Sequence, residues 1–181
     1  LFRSLREIPH VEIIRIGSRT PCTMPQRITD SLVEMLRKYH PIYVNTQFNH
    51  PKELTTEAGE ACARLADAGI PLGNQSVLLA GINDDPEIMK SLVHGLLRFR
   101  VRPYYIYQAQ TLSGTAHFIT PIEKGLEIME ALRGHTSGLA VPVYLLDTPY
   151  GKIPMHPNTI VERDDESVHL RSWDGKVWVE P

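Results

Sequence analysis

The fold is decided by Gly73-Asn74-Gln75-Ser76-Val77-Leu78-Leu79 and the thirty residues that follow it. The run Gln75–Leu79 is β-rich and ends on Gly81-Ile82-Asn83-Asp84, a polar turn. Pro86 then opens a helix whose apolar face is Ile88, Leu92, Leu96 and Leu97. Arg102-Pro103-Tyr104-Tyr105-Ile106-Tyr107 is the next strand, ending in Gln108-Ala109-Gln110. Strand, helix and strand at this spacing form a βα unit, which places neighbouring strands parallel.

The unit repeats in both directions. Upstream, Val11–Ile16 is a strand that ends on Gly17-Ser18-Arg19, and Thr29-Asp30 starts a helix with Leu32, Val33, Leu36 and Tyr39 on one stripe. Ile42-Tyr43-Val44 runs into Asn45-Thr46-Gln47. A helix spans about Glu57 to Ala68 and is closed by Gly69. Downstream, Thr120-Pro121 begins a helix through Arg133, with Gly134 after it. Val143–Leu146 is a buried strand ending on Asp147. A turn with Gly151 leads to Lys152, expected to lie in a polar loop. Beyond it, Thr159–Arg163, Ser167–Arg171 and the segment around Trp173, Val177 and Val179 form an antiparallel meander. The expected architecture is α/β: residues 1–140 are parallel βα units, and 141–181 carry the lysine loop and the antiparallel extension. In such sheets ligands lie over the carboxyl ends of the strands, where Ser18-Arg19, Asn45–Gln47, Asn83-Asp84 and Gln108–Gln110 all fall.

Composition narrows the function. The chain has 181 residues, 42% of them hydrophobic and 22% charged, enough for a substantial core. A net charge of -2 without a like-charge run does not favour nucleic acid or an anionic membrane as partner. Cys22 and Cys62 form no paired motif, which points to a reducing compartment, the cytoplasm, and gives no metal site. His50, His117 and His135 lack metal-ligand spacing. The opening Leu1-Phe2-Arg3-Ser4-Leu5 is already helical in period, as expected of a cut inside a domain. Lys152, fixed between Gly151 and Ile153-Pro154, can form a Schiff base if its amine is kept neutral by desolvation or a cationic neighbour.

Longer motifs carry a resemblance. Arg15-Ile16-Gly17-Ser18-Arg19-Thr20-Pro21, Asn45-Thr46-Gln47-Phe48-Asn49-His50-Pro51, Ala68-Gly69-Ile70-Pro71-Leu72-Gly73-Asn74-Gln75-Ser76, Arg102-Pro103-Tyr104-Tyr105-Ile106-Tyr107-Gln108 and Leu132-Arg133-Gly134-His135-Thr136-Ser137-Gly138 stand in the order found in one family. The chain resembles the lysine 2,3-aminomutases, radical S-adenosylmethionine enzymes that also use pyridoxal 5'-phosphate. The resemblance implies the later strands of a partial (βα)6 barrel. The [4Fe-4S] cluster would be held by a Cys-x3-Cys-x2-Cys motif preceding Leu1, so this polypeptide alone should be inactive.

The same resemblance implies roles. Lys152 would anchor pyridoxal phosphate, with Tyr107 facing its ring. Gln75, Gln47 (where the family has histidine), Ser18 and Arg19 would line the S-adenosylmethionine site, although Arg19 could equally pair with a helix carboxylate. Of the family's two substrate-gripping aspartates one maps to Asp147; the other maps to Gln110. The expected activity is an amino acid 2,3-aminomutase, an isomerase acting on lysine or a related small amino acid, as a homo-oligomer. The rival reading is a non-catalytic barrel homologue that binds a ligand or organises an assembly.

Overall fold

The computed structural model describes residues 1–149, 151–156, 160–164, 166–172 and 174–180. Tyr150, Pro157, Asn158, Thr159, Asp165 and Trp173, on which parts of the lysine turn and meander were read, lie outside the described residues.

Six strands form one curled sheet in sequential order: β1 (Ile14–Gly17), β2 (Ile42–Thr46), β3 (Leu72–Leu78), β4 (Val101–Gln108), β5 (Val143–Thr148) and β6 (Gly151–Met155). The first five are parallel and β6 returns antiparallel to β5. Between them run helices α1 (Phe2–Arg6), α2 (Thr20–Thr23), α3 (Asp30–Arg37), α4 (Thr56–Asp67), α5 (Pro86–Arg98) and α6 (Ile122–Leu132). A separate three-stranded antiparallel sheet follows, β7 (Ile160–Arg163), β8 (Val168–Arg171) and β9 (Val177–Glu180).

Helix boundaries follow local chemistry. Thr29, Thr55 and Asp85 each accept a backbone N–H with the side chain at the starts of α3, α4 and α5. Asp85 takes two, from Glu87 and Ile88 at 2.9 and 3.0 Å, and Pro86 fills a position whose N–H would have no helical partner. Gly69 and Gly134 follow α4 and α6 at φ of 76° and 78°, a conformation that side-chain-bearing residues rarely adopt.

The core lies between the sheet's convex face and the helices. Along β3 every second residue (Leu72, Asn74, Ser76, Leu78) is buried there, and Gly73, Gln75 and Val77 face the concave side. Leu92 and Leu96 of α5, Leu65 of α4 and Ile128 and Leu132 of α6 are fully buried against it, each contributing about 1.5–3 kcal/mol by leaving water. The pairing register slips between Asn74 and Gln75, leaving Tyr104 of β4 unpaired, so Tyr105 stands opposite Gln75 and Tyr107 opposite Val77. One extra residue thus turns both tyrosines onto the concave face.

Two readings change. Lys152 is not in a loop: it lies in β6, directly across from Asp147. The first strand begins at Ile14, not Val11, because Val11 to Ile13 lie outside the ladder, where Arg6 donates to the carbonyls of Val11 and Glu12. The meander is found as expected, and its β8 is tied to α6 through Arg171, which meets Glu130 at 2.8 Å.

Gly125 in α6 is where the core is tightest, since a Cβ there would overlap the ring of fully buried Tyr144. Gly125→Ala should therefore destabilise the fold by about 1–3 kcal/mol despite alanine's better helix propensity. Urea denaturation checks this, with the open Gly138→Ala position as control; an unchanged midpoint for Gly125→Ala would disprove the close contact.

Candidate active site

The strand ends are held by buried amides. Asn74 on β3 accepts the Phe48 N–H at 2.7 Å and donates to the Phe48 carbonyl at 3.0 Å. Ser76 donates to the same carbonyl at 2.8 Å. Asn49 accepts the Val77 N–H, and fully buried Asn83 donates to the carbonyls of Asn49 and Val77. Such groups are kept inside only because each is satisfied. Together they fix the segment 47–49 against the ends of β2 and β3. Glu53 adds a second clamp, accepting from the N–H groups of Asn49 and His50 at 2.5 and 3.1 Å.

Over this scaffold lie two clefts. One, of about 210 Å³, is lined by Gly17, Ser18, Arg19, Asn45, Thr46, Gln47 and Gln75, so it collects all four residues expected at the nucleotide cofactor. Ser18 bonds locally to Thr20 at 2.8 Å. Arg19 meets Glu53 at 2.6 Å, the carboxylate pairing that stood as the alternative to a ligand role. The other cleft, of about 330 Å³, brings together Tyr107, Gln110 and Asp147 with the apolar Val77, Leu79, Leu112 and Phe118. The structure thus groups the predicted residues into two sets, joined on the concave face by a bond of 3.5 Å from Gln75 to the Tyr107 hydroxyl.

Lys152 stands beside the second set. Its Nζ lies 5.2 Å from the centre of the Tyr107 ring and 5.8 Å from that of Tyr105. Bonding to the Tyr107 hydroxyl, and secondarily the charge of Asp147, raises its pKa above the ordinary lysine value. The lysine is exposed, and the Tyr107 hydroxyl and Asp147 together outweigh the opposing effects of burial and of the Arg15 charge, so the ammonium is favoured. Tyr105, stacked on Tyr104 at 3.7 Å, has its own hydroxyl pushed up to about 12, first by its bond to Tyr104.

Sequence reasoning missed Tyr105, Glu53 and the bonding roles of Asn74 and Asn49, although it placed Asn83 among the polar groups at the strand ends. Tyr105 was hidden by the register slip. The asparagines carried a usable signal, since Asn74 interrupts a β-rich segment at a position that alternation places inside. Among the described residues no group of three or more His, Cys, Asp or Glu is placed to hold a metal ion. Burial pushes the thiols of Cys22 and Cys62 up to about 11 and 12, leaving them poor ligands. No described helix is long and apolar enough to cross a membrane.

Comparison with known proteins identifies the family. Residues 129–181 match the family model described as Lysine-2,3-aminomutase. The chain is 58% identical over 177 residues to an L-lysine 2,3-aminomutase of Acetoanaerobium sticklandii, covering 97% of this chain and 43% of that protein. This chain belongs to the lysine 2,3-aminomutase family. It is 56% identical to the L-lysine 2,3-aminomutase of Clostridium subterminale and 54% identical to the glutamate 2,3-aminomutase of Clostridioides difficile, covering 98% of this chain and, respectively, 43% and 42% of those proteins. It therefore spans less than half the length of these relatives. Relatives named for a cationic and an acidic substrate match at nearly equal identity, so similarity alone does not select the substrate.

A hydroxyl that stabilises the ammonium should be visible on removal. Tyr107→Phe is expected to lower the Lys152 pKa toward the ordinary value while leaving the ring in place. The charged lysine's contribution to stability is present below the unfolded-state pKa and is lost as pH rises through the higher folded-state value, so the variant should lose that contribution at lower pH. NMR titration of the isotopically methylated lysine amine measures it, and an unmoved titration would discard the hydroxyl as the cause.

Proposed function

We propose that this chain is the part of an amino acid 2,3-aminomutase that carries the cofactor lysine and the substrate pocket, within the later strands of a partial (βα)6 radical S-adenosylmethionine barrel. The observation that supports this most is the convergence of Lys152, Tyr107, Asp147 and Gln75 on one concave face at the carboxyl ends of parallel strands.

The residues fit two of the three implied groups. Lys152 would hold pyridoxal phosphate, because its amine projects over two aromatic rings beside an open cleft rather than into a packed core. When bound, that cofactor supplies a conjugated system next to the migrating amine. Gln75, Gln47 and Ser18 would hold S-adenosylmethionine, as amides and a hydroxyl suit ribose and amino-acid groups. Arg19, paired to Glu53, shapes this cleft more than it contacts an anion. The residues do not fit an iron–sulfur cluster, since Cys22 and Cys62 lie in helices with raised thiol pKa values and no third ligand.

The chain's own groups then act as follows. Leu79, Leu112 and Phe118 exclude water from the substrate's aliphatic part. Asp147 faces the distal end of the substrate and favours a positive or hydrogen-bond-donating group. Gln110 offers one carbonyl where a second carboxylate would stand. An amide in that place costs a compact ammonium about 1–3 kcal/mol of compensation. Tyr107 holds the proton on Nζ while the lysine is free. We place the substrate among small α-amino acids with a distal donor, the protein as a homo-oligomer, and its compartment as the reducing cytoplasm that two unbridged cysteines suit.

Borohydride reduction with pyridoxal phosphate should label the peptide containing Lys152; label on another lysine overturns the anchor assignment. In the full-length enzyme, Gln110→Asp should raise kcat/KM for lysine by about 5- to 150-fold, the equivalent of about 1–3 kcal/mol. Assays with several α-amino acids test it. Lysine as the best substrate with no gain from Gln110→Asp would refute the specificity reading, and no turnover of any amino acid would favour the non-catalytic one.

A further inference from the structure

Two ladders end where the larger apolar cleft begins. β4 pairs with β3 as far as Leu78↔Gln108 and with β5 as far as Tyr107↔Leu145. Gln110 and Asp147, assigned above to the distal end of the substrate, both lie past the last rung between β4 and β5. From Gln108 the chain leaves the sheet, runs through residues 109–119 and returns at Thr120, just ahead of α6. This excursion supplies Gln110, Leu112, Thr115 and Phe118 to the cleft of about 330 Å³. Its placement therefore decides the shape of one whole wall.

A buried side chain closes the excursion at its base. The Gln108 amide donates from Nε2 to the Thr120 carbonyl at 2.6 Å, so the residue before the excursion holds the residue after it. Its Oε1 accepts from the Tyr144 hydroxyl at 2.5 Å and from Thr120 Oγ1 at 3.4 Å. Only one orientation of the amide satisfies these partners. A backbone carbonyl can only accept, so Nε2 must face it and Oε1 is left to the hydroxyls. Gln108, Tyr144 and Thr120 are 6%, 0% and 4% exposed, so the bonds are made inside the core and not on an open surface. A phenol so deep in a core is costly unless its hydroxyl is bonded. α6 makes room for it with Gly125, where a Cβ would fall 2.5 Å from the Tyr144 oxygen. The far part of the excursion is tied to the turn after β3, where the Ala80 N–H donates to the Phe118 carbonyl at 2.9 Å.

We propose that Gln108 is a positioning residue for the substrate cleft: its amide, aimed by Tyr144, staples the excursion 109–119 at its base and sets the spacing between Gln110 and Asp147. The inference rests on the aminomutase reading of this cleft. The carbonyl of the Gln108 amide and one N–H are engaged inside the fold, so the residue acts through the groups it holds. Tyr144 lies on β5, the strand that ends on Asp147 and Thr148. One hydroxyl–amide contact thus joins the strand that carries the acid to the segment that carries Gln110, where the ladder no longer does so. A wall fixed at its base has less freedom to lose when a ligand binds, which favours affinity. The effect falls on binding more than on chemistry, because Gln110 and Asp147 meet the end of the substrate remote from the migrating amine.

Steady-state kinetics of the full-length enzyme with L-lysine and several other α-amino acids test the role. Gln108→Met keeps the bulk of the side chain and removes its bonds; it should raise KM about tenfold while kcat stays within about threefold of the wild type. Tyr144→Phe leaves the amide without its aim and should raise KM about threefold. The double variant should match Gln108→Met alone, since both changes break one path. If Gln108→Met does not fold, the milder Tyr144→Phe carries the test. Hydrogen exchange gives a readout free of activity. The Ala80 amide, held by Phe118 of the excursion, should exchange about tenfold faster in Gln108→Met and about threefold faster in Tyr144→Phe. The Val77 amide, held by Asn49, should not change in either. A wild-type enzyme that converts no amino acid refutes the aminomutase reading, and the staple is then judged by exchange alone. Ala80 exchange unmoved in the variants overturns the staple whatever the activity. Faster exchange with KM unchanged, a loss confined to kcat, or effects that add in the double variant overturn the positioning role.

Discussion

The site rests on one buried amide. Asn74 replaces the apolar residue that strand alternation would place on the core side of β3; it accepts from and donates to the backbone of Phe48 and also donates to the Ser76 hydroxyl. A buried amide left unpaired costs on the order of 1–3 kcal/mol, so the loop after β2 is pinned wherever this pair can form. Asn49 and Asn83 extend the same bonding to the ends of β3 and the turn after it. Both clefts open over the strand ends that this lattice fixes. Rigidity at this level is what a reaction needing near-attack placement requires of its scaffold.

Above that rigid layer the electrostatics are soft. Lys152 and Asp147 are exposed and face each other across a hairpin, and Arg19 with Glu53 forms a half-exposed pair. Such pairs are worth little as stability, at most about 1 kcal/mol each. Their importance is positional. Asp147 can serve the lysine's ammonium and a substrate's distal group, but one carboxylate neutralises only one cation. On the proposed reading, with Gln110 uncharged at the second position, the state of Lys152 and the charge of the substrate would be coupled through Asp147.

The parallel order of the strands, the helix starts at Thr29, Thr55 and Pro86, and the closing glycines Gly69 and Gly134 were legible because each follows from local chemistry. The grouping of Ser18, Arg19 and Gln47 was legible because parallel strands gather their carboxyl ends, whereas Gln75 was placed with them only by the family resemblance. The course of the chain at Lys152 was not. Gly151 and Pro154 read as turn and breaker, yet Pro154 is tolerated in an edge strand, and the cross-strand partner Asp147 is visible only once register is known. The protonation of Lys152 was not legible either, for a related reason: sequence shows neither its exposure nor the Tyr107 hydroxyl beside it.

The slip beside Tyr104 has a further meaning for how such a site can change. Side chains alternate between the two faces of a strand, so the assignment of every residue after the slip depends on the parity of the count before it. Losing or gaining one residue before Tyr105 would send Ile106 and Gln108 toward the cofactor side and turn both tyrosines into the core. Point substitutions can tune this site one group at a time, whereas a single-residue length change in β4 would exchange the whole inner wall at once. The chemistry on this strand is thus protected less by any one side chain than by a fixed residue count.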